Sequence, residues 1–553
     1  MSRRLRSIDT PAARWGALAV LLIAAAAFLM FETRGTLFFL DEWEYVLYRR
    51  GSSLATYLEP HNEHLSLVPV AIYKLLFATA GIGSYVPYRV VAIVCNLICA
   101  ALLYVYAQRR VGAWPALVLA ALLLGFGPGW EALLWPANIN FVIPAACGIG
   151  ALLALDRHTR GGDLCACGLI TLALASSGLG IPIAVGIAVE LAATRRRPRD
   201  AWIVGVPVGL YALWWIGYQQ GGVTSLNSVL GAPAYAAAAA ASVISSLFGL
   251  AGAIAFDGPG TLLAWGAPLL VAGVAALAWA LWKLRGPSPR ILALLAILAS
   301  FWLAAGATRD ALGDPYSSRY IYTGAVFVLL LVAELAQGMR LRPLVAGGLF
   351  AAALIVLASN LGQLRREANM LRGIGQASAA DLGALEIGRP ALPRHYVLHE
   401  LPDTPLVTVA AWRYLAAARL LGSPAASVAT IEGDPEDVRT LVDTELIAIH
   451  QVTLTPTGAA VHHTAGCAQL RPPPLTTPAS APAITLRVPP AGLVIRSGAT
   501  PTAVGLRRFA DQFQTVGTLS PNTRASLKIA ADSSGRPWQL RLSSTSSLLA
   551  CPR

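Results

Sequence analysis

The chain has 553 residues, 56% of them hydrophobic and only 13% charged, with a mean hydropathy of +0.59. So much apolar surface excludes a soluble globular protein of this size and specifies a polytopic membrane protein. The formal net charge of +13 does not signal nucleic-acid binding, because the basic residues sit in short clusters between apolar runs, where a membrane protein needs them.

The first element is the run at 15–31, preceded by Arg3, Arg4, Arg6 and Arg14. It is long for a signal-peptide core and lacks a small-x-small cleavage site, so it reads as an uncleaved helix with a cytoplasmic start. Membrane spans are expected at about 15–33, 86–108, 113–128, 139–155, 164–178, 179–194, 201–218, 261–283, 290–307, 320–338 and 344–360, eleven in all. Two apolar stretches are set aside, 65–80 with its Lys74 and the alanine-rich 235–256. With eleven spans and the N-terminus inside, 17 of the 24 lysines and arginines in residues 1–360 fall on the cytoplasmic side. Counting 65–80 as a span would turn the cluster at 195–199 outward, against the positive-inside rule. Both stretches are therefore read as helices on, or dipping into, the outer interface.

An odd number of spans places residues 361–553 outside. There the apolar runs shorten, proline and threonine rise ("RPPPLTTPASAPA") and alternating segments appear, "ITLRV", "GLVIRS", "ASLKIA" and "WQLRLSS". The domain reading is a transmembrane part at 1–360, a mixed α/β connector at 361–445 and a β-rich, sandwich-like domain at 446–553. Cys467 and Cys551 are the only cysteines of the outer region and flank its β-rich part, so they are expected to form a disulfide in an oxidising compartment. Cys95, Cys99, Cys147, Cys165 and Cys167 read as small hydrophobes within or beside the spans.

The first outer loop, 34–85, gathers Asp41, Glu42, Glu44, Glu59 and Glu63 with His61 and His64. These could be solvated loop charges. However, Asp41 and Glu42 directly follow "TLFFL" at the membrane rim, where a charge is costly unless used. "LDEWEYVLY" and "HLSLVPVAIYKLLF" both look amphipathic, which sets the acids on interfacial helices. A carboxylate at the rim suits a general base that deprotonates an acceptor hydroxyl beside a lipid-borne donor, and the donor phosphate then needs cations. Arg319 in "DPYSSRYIYTG" and Arg89 at the start of the second span are the candidates. "HNEH" (61–64) lacks the helix spacing of a metal site.

Taken together these features resemble the GT-C superfamily, membrane glycosyltransferases that take a sugar from a polyprenyl-phosphate carrier on the outer face. The resemblance rests on Asp41 and Glu42 with Tyr45 shortly after, on a long first loop with two interfacial helices that leads through "YKLLFATAGIGSYVPYRVV" to Arg89, and on the late Ser318-Arg319-Tyr320. "HNEH" looks like a loop motif of uncharacterised bacterial, actinobacterial-like members. The resemblance implies Asp41 as catalytic base, with Glu42 supporting it or exchanging roles. It implies Arg319, Arg89 and Tyr320 at the donor phosphate, and Tyr45, Glu63, His64 and His61 at the acceptor or loop. Some relatives carry a second acid in the next outer loop; here that loop, "GPGWEALLWPANINF", offers Glu131.

The function expected is sugar transfer from a polyprenyl-phosphate donor to a glycan, lipid or protein acceptor of a bacterial cell envelope. The enzyme would sit in the plasma membrane with its N-terminus in the cytoplasm. No cofactor is called for beyond the donor substrate, and a divalent metal is left open. The alternatives are a transporter or flippase of a lipid-linked substrate, or a polymerase or ligase of lipid-linked oligosaccharides. The nearly charge-free mid-depth of the helices, with acids gathered at one rim, argues for a one-sided active site over a transport path.

Overall fold

The computed structural model describes residues 10–194, 196–218, 225–250, 260–309, 315–339, 342–398, 409–457, 467–473 and 482–552. Arg3, Arg4, Arg6, Arg195 and Arg340, used above to orient the chain, lie outside the described residues. The chain forms two compact units. The first comprises Met1–Arg34, Tyr48–Thr79 and Val86–Arg372; the second comprises Gly35–Leu47, Ala80–Tyr85 and Gly373–Arg553. The boundaries read from composition at 360 and 445 both fall inside helices, Pro343–Ile387 and Glu436–Ile449.

Nine helices among the described residues are long and apolar enough to cross a membrane, or ten if the bent pair Ala113–Leu124 and Gly127–Leu134 is one span. The 50° bend has a cause in sequence. Gly125 ends the first helix and Pro128 opens the next turn. The close approach of another helix holds the bend, since a Cβ on Gly127 would stand 2.1 Å from the Asn360 carbonyl oxygen.

Helix ends are matched by a buried ion network. Arg290, at the start of Pro289–Arg309, donates from Nε to Glu190 at 2.9 Å, and from Nη2 to Asp156 at 2.8 Å, Glu190 at 2.8 Å and the Leu152 carbonyl at 3.1 Å. Arg110 pairs with Glu334 and, at 3.4 Å, with Asp156, and the Tyr106 hydroxyl also donates to Glu334. Arg196 binds Asp163 at 2.6 Å. These contacts bring the ends of six helices to one level. The arginines that sequence reading treats as topological charges are thus half of a packed clasp, whose acids were invisible to that reading.

Leu226–Leu247 is itself long and apolar enough to cross a membrane, where the sequence reading expected an interfacial stretch at 235–256. Ala232 and Tyr235 near its start lie against Gly306, and Gly249 just beyond its end accepts from Ser359 Oγ at 2.9 Å. Gly306 is near the end of Pro289–Arg309 remote from the network, Ser359 lies inside Pro343–Ile387, and the helix packs on Pro289–Arg309 and Ser318–Leu335. Arg160–Leu174 and Gly180–Ala193 are short, about 21–23 Å at 1.5 Å per residue. They still pass from the network level, at Asp163 and Glu190, to the opposite one, where Ala175 accepts the Val68 amide. The stretch 65–80 forms a short apolar helix, Leu67–Thr79.

Pro343–Ile387 has 45 residues, about 67 Å, twice the hydrocarbon thickness of a bilayer. Its apolar first part ends near 360, and its last fifteen residues belong to the second unit. Among the described residues that unit ends in nine strands: β1 (Leu454–Pro456), β2 (Ala468–Leu470), β3 (Ala483–Arg487), β4 (Leu493–Arg496), β5 (Thr502–Arg507), β6 (Gln514–Leu519), β7 (Arg524–Leu527), β8 (Gln539–Ser543) and β9 (Leu548–Pro552). They pair antiparallel as two sheets, ordered β1-β7-β4-β9-β2 and β3-β8-β5-β6. Alternate residues of β4, β5 and β8 turn inward, with Ile495, Val504, Leu506, Leu540 and Leu542 fully buried. Cys467 and Cys551 are bonded as expected, joining the ends of neighbouring β2 and β9.

Helix and sheet are locked by two buried carboxylates. Asp443 accepts the backbone amides of Arg508, Phe509 and Ala510 at 2.7–3.0 Å. Asp532 takes the His450 ring at 3.0 Å, the Ser534 hydroxyl at 2.7 Å and the Arg508 guanidinium at 2.5 Å. Phe509 and Trp538 are buried there, and Arg508 lies over the Trp538 ring. Burial opposes the ionisation of Asp532, but the His450, Arg508 and Ser534 hydrogen bonds outweigh it and hold the carboxyl well below its usual range. The folded protein therefore binds fewer protons than the unfolded chain below the ordinary carboxyl value of about 3.9. Stability should be level above that pH and fall as the solution is made more acidic. Thermal melts of the full chain between pH 3 and 7 should show this acid limb, and Asp532→Asn should flatten it.

Candidate functional site

In the helical unit, the sequence-predicted residues Glu131 and Arg319 come together at the level opposite the ion network. The turn at 127–134 brings Glu131 to the first turn of Ser318–Leu335, and the two elements bind reciprocally. Ser318 Oγ accepts the Glu131 amide at 3.0 Å, while Glu131 Oε2 accepts the Arg319 amide at 3.2 Å and its Nη1 at 3.4 Å. A carboxylate on the first amides of a helix satisfies orphan donors and favours the dipole. Here it also fixes the root of the Arg319 side chain, which keeps 30% of its surface open. The sequence offered Glu131 as the acid of the second outer loop; the structure makes it the partner of Arg319. Glu367, almost fully buried, lies close enough to Glu131 to feel its charge. No sequence pattern pointed to it. Tyr320 is buried, its ring wedged 5.9 Å from Phe141 and 6.0 Å from Phe301, with the Arg319 guanidinium 5.5 Å from its centroid.

Arg89 is 7% exposed and clasps two helices. Its Nε donates to Thr33 Oγ1 at 2.8 Å and its Nη2 to the Met30 carbonyl, tying Val86–Val111 to the end of Pro11–Glu32. Lys74 reaches the Gly51 carbonyl at 2.6 Å and lies over the Tyr57 ring. The "HNEH" motif is a hairpin turn. His61 and His64 exchange backbone hydrogen bonds at 2.9 and 3.0 Å, and Asn62 and Glu63 both have positive φ, 47° and 68°. This is the two-residue turn whose twist suits a hairpin, normally filled by Asn-Gly. Glu63 stands where glycine is usual. Arg49 anchors the approach by donating to the Glu59 and Pro60 carbonyls, both at 2.7 Å. His61 is buried, and the His64 ring lies against Gly178, where a Cβ would come within 2.7 Å of Nδ1.

Asp41, Glu42 and Tyr45 belong to the second unit. They lie on the helix Asp41–Tyr48, which starts straight after Leu40 in the left-handed region at φ 44°. For a leucine this costs about 1–2 kcal/mol and turns the chain sharply at the rim. Asp41 is partly exposed in the first turn. Glu42 is fully buried, and its Oε2 accepts the Phe39 amide at 2.9 Å and the Tyr85 hydroxyl at 2.7 Å. Tyr45 is buried too. Two residues that brace this helix went unseen in sequence reading. Tyr85 braces Glu42 and packs 4.8 Å from Phe38, and Tyr414 meets Trp43 at 6.1 Å. Both contacts span long sequence separations that no local pattern encodes.

No family model matches the chain, and no curated protein matches it. It is similar to two crystal structures of ArnT from Cupriavidus metallidurans. The undecaprenyl phosphate-bound form is 11% identical, with a TM-score of 0.48; the apo form is 15% identical, with a TM-score of 0.44. Each comparison covers 75% of this chain and 86% of the other. Likeness at this level does not assign a reaction.

Proposed function

We propose that the protein is a membrane glycosyltransferase that moves a sugar from a polyprenyl-phosphate donor to a cell-envelope acceptor on the outer face of a bacterial plasma membrane. One observation carries the reading: Arg319, partly open and held by Glu131 at a helix N-terminus, at the rim opposite the arginine-rich clasp. A guanidinium at the positive end of a helix is an anion site suited to a phosphate. In this reading the clasp end, rich in arginine, faces the cytoplasm, and Arg319, the first loop and the C-terminal region face outward.

In this reading the acceptor hydroxyl oxygen attacks the anomeric carbon, and the bond from that carbon to the donor phosphate oxygen breaks with inversion. The electron pair leaves with polyprenyl phosphate, whose charge Arg319 stabilises. Asp41 takes the hydroxyl proton. Glu42, buried and bonded, braces the helix that presents Asp41 rather than acting as a base. Arg89, with at least two donors committed to helix carbonyl and hydroxyl groups, is the lesser phosphate ligand.

The phosphate assignment is tested by binding. Radiolabelled polyprenyl phosphate should bind the purified protein in nanodiscs, and Arg319→Ala should weaken it about tenfold or more, the value of a charge-assisted bidentate contact. Glu131→Gln should weaken it less, by leaving the arginine in place but loosely held. Unchanged binding in Arg319→Ala would remove the phosphate site from this rim.

A further inference from the structure

The helix Ala411–Leu421 in the second unit is inverted in polarity. Ala411, Tyr414 and Ala417 form its buried face, while Trp412 is 55% and Leu420 78% exposed on the opposite stripe, beside exposed Arg419. The spacing 412, 416, 419, 420 places these residues on one side of the helix. Arg413 flanks them with its guanidinium 4.7 Å from the Trp412 ring. An outward tryptophan and leucine with two arginines is the composition of a helix lying in a membrane interface, the rings at the headgroup level and the arginines among phosphates.

The chain says which surface lies there. The Leu421 carbonyl accepts the Ile82 amide at 2.8 Å, and Gly81, at φ +66°, leaves no room for a Cβ, which would stand 2.1 Å from the same carbonyl oxygen. Four residues after Ile82, at Val86, the chain enters a helix of 26 residues apolar enough to cross the bilayer. The end of Ala411–Leu421 is thus pinned, within its own unit, to the point where the chain meets the membrane surface. Its buried face holds the loop that carries Asp41. Trp43 packs edge-on to Tyr414, and the Tyr414 hydroxyl donates to Glu386 Oε1 at 2.8 Å and meets Ser423 Oγ at 3.1 Å.

We infer that Ala411–Leu421 is an interfacial helix that lies on the outer-leaflet headgroup layer through Trp412 and Leu420 and sets the depth at which the Asp41 helix is held. The lipid contact stands independently of the enzymatic reading. Its consequence, that the base is held level with the donor phosphate, rests on that reading.

The test uses the full chain in nanodiscs with Cys95, Cys165 and Cys167 changed to serine. Trp412→Cys, Leu420→Cys and, as an aqueous control at the exposed last residue of β4, Arg496→Cys carry a nitroxide. Relaxation by oxygen, which partitions into lipid, is compared with relaxation by a water-soluble nickel chelate. The expected result is oxygen-dominated relaxation at 412 and 420 and nickel-dominated relaxation at 496. Nickel-dominated relaxation at 412 and 420 would overturn the inference, as would labels shielded from both reagents, which would mean that protein covers this face. Without labels, brominated lipids should quench less tryptophan fluorescence in Trp412→Phe than in the parent, and equal quenching would count against the inference. Trp412→Glu with Leu420→Glu should lower turnover of a membrane-borne donor at least tenfold. If Asp41→Asn is fully active in the same assay, the enzymatic reading fails and the lipid contact is judged by the spin labels alone.

Discussion

Asp41→Asn is expected to lower sugar transfer by about 10²–10⁴-fold while leaving the fold and donor binding intact, the range contributed by a positioned general base. Asparagine keeps the size and most of the polarity of aspartate but cannot take the acceptor proton. The helix that presents Asp41 is held by other groups, namely Glu42 on the Phe39 amide and Tyr85 hydroxyl, and Trp43 against Tyr414. The substitution therefore tests chemistry more than folding. Steady-state transfer with saturating acceptor, beside binding of polyprenyl phosphate, separates the two. A variant that binds and transfers like the parent would remove Asp41 from the mechanism.

Arg290→Ala should be the most damaging single change to the helical unit, at about 3–5 kcal/mol, because it strips the partner from buried acids. Glu190 is 8% exposed and receives two of the Arg290 hydrogen bonds; Asp156 receives another. Without Arg290, Glu190 must be buried uncompensated or take up a proton, while Asp156 keeps Arg110 at 3.4 Å. The paired change Arg290→Met with Glu190→Met should recover part of the loss, since replacing both members of a buried pair is often nearly neutral. Thermal inactivation of the detergent-solubilised protein gives the readout. A midpoint for Arg290→Ala within a degree or two of the parent would show the network to be ornamental.

How much of this was legible in sequence divides along physical lines. Hydropathy located the spans, because each is set by bilayer thickness and needs no knowledge of neighbours. Charge parity kept 235–256 out of the count, whereas the structure has there Leu226–Leu247, a helix long and apolar enough to cross. The disulfide was legible because two cysteines flanked one domain. The strands and their alternation were visible at period two. Side-chain partnership was not. Arg110 and Arg290 looked like topological charges, since Asp156, Glu190 and Glu334 sit up to more than two hundred positions away. "HNEH" suggested chemistry, and its backbone shows a hairpin turn whose left-handed pair no composition rule would assign to Asn-Glu. Arg89 opened the second span as expected, but its fork binds the neighbouring helix. The outward Trp412 and Leu420 were hidden because a short helix with mixed residues reads as ordinarily amphipathic until its buried side is known.

The measurement that bears most directly on the central claim offers the purified protein, in nanodiscs, a panel of labelled polyprenyl-phosphate monosaccharides with candidate acceptors. It follows the sugar and the lipid phosphate together. The account predicts that one donor is consumed, that polyprenyl phosphate is released in equal amount to new glycoside, and that the anomeric configuration is inverted. Intact donor carried across sealed vesicles without cleavage, or no donor consumed by folded protein across the panel, would contradict it.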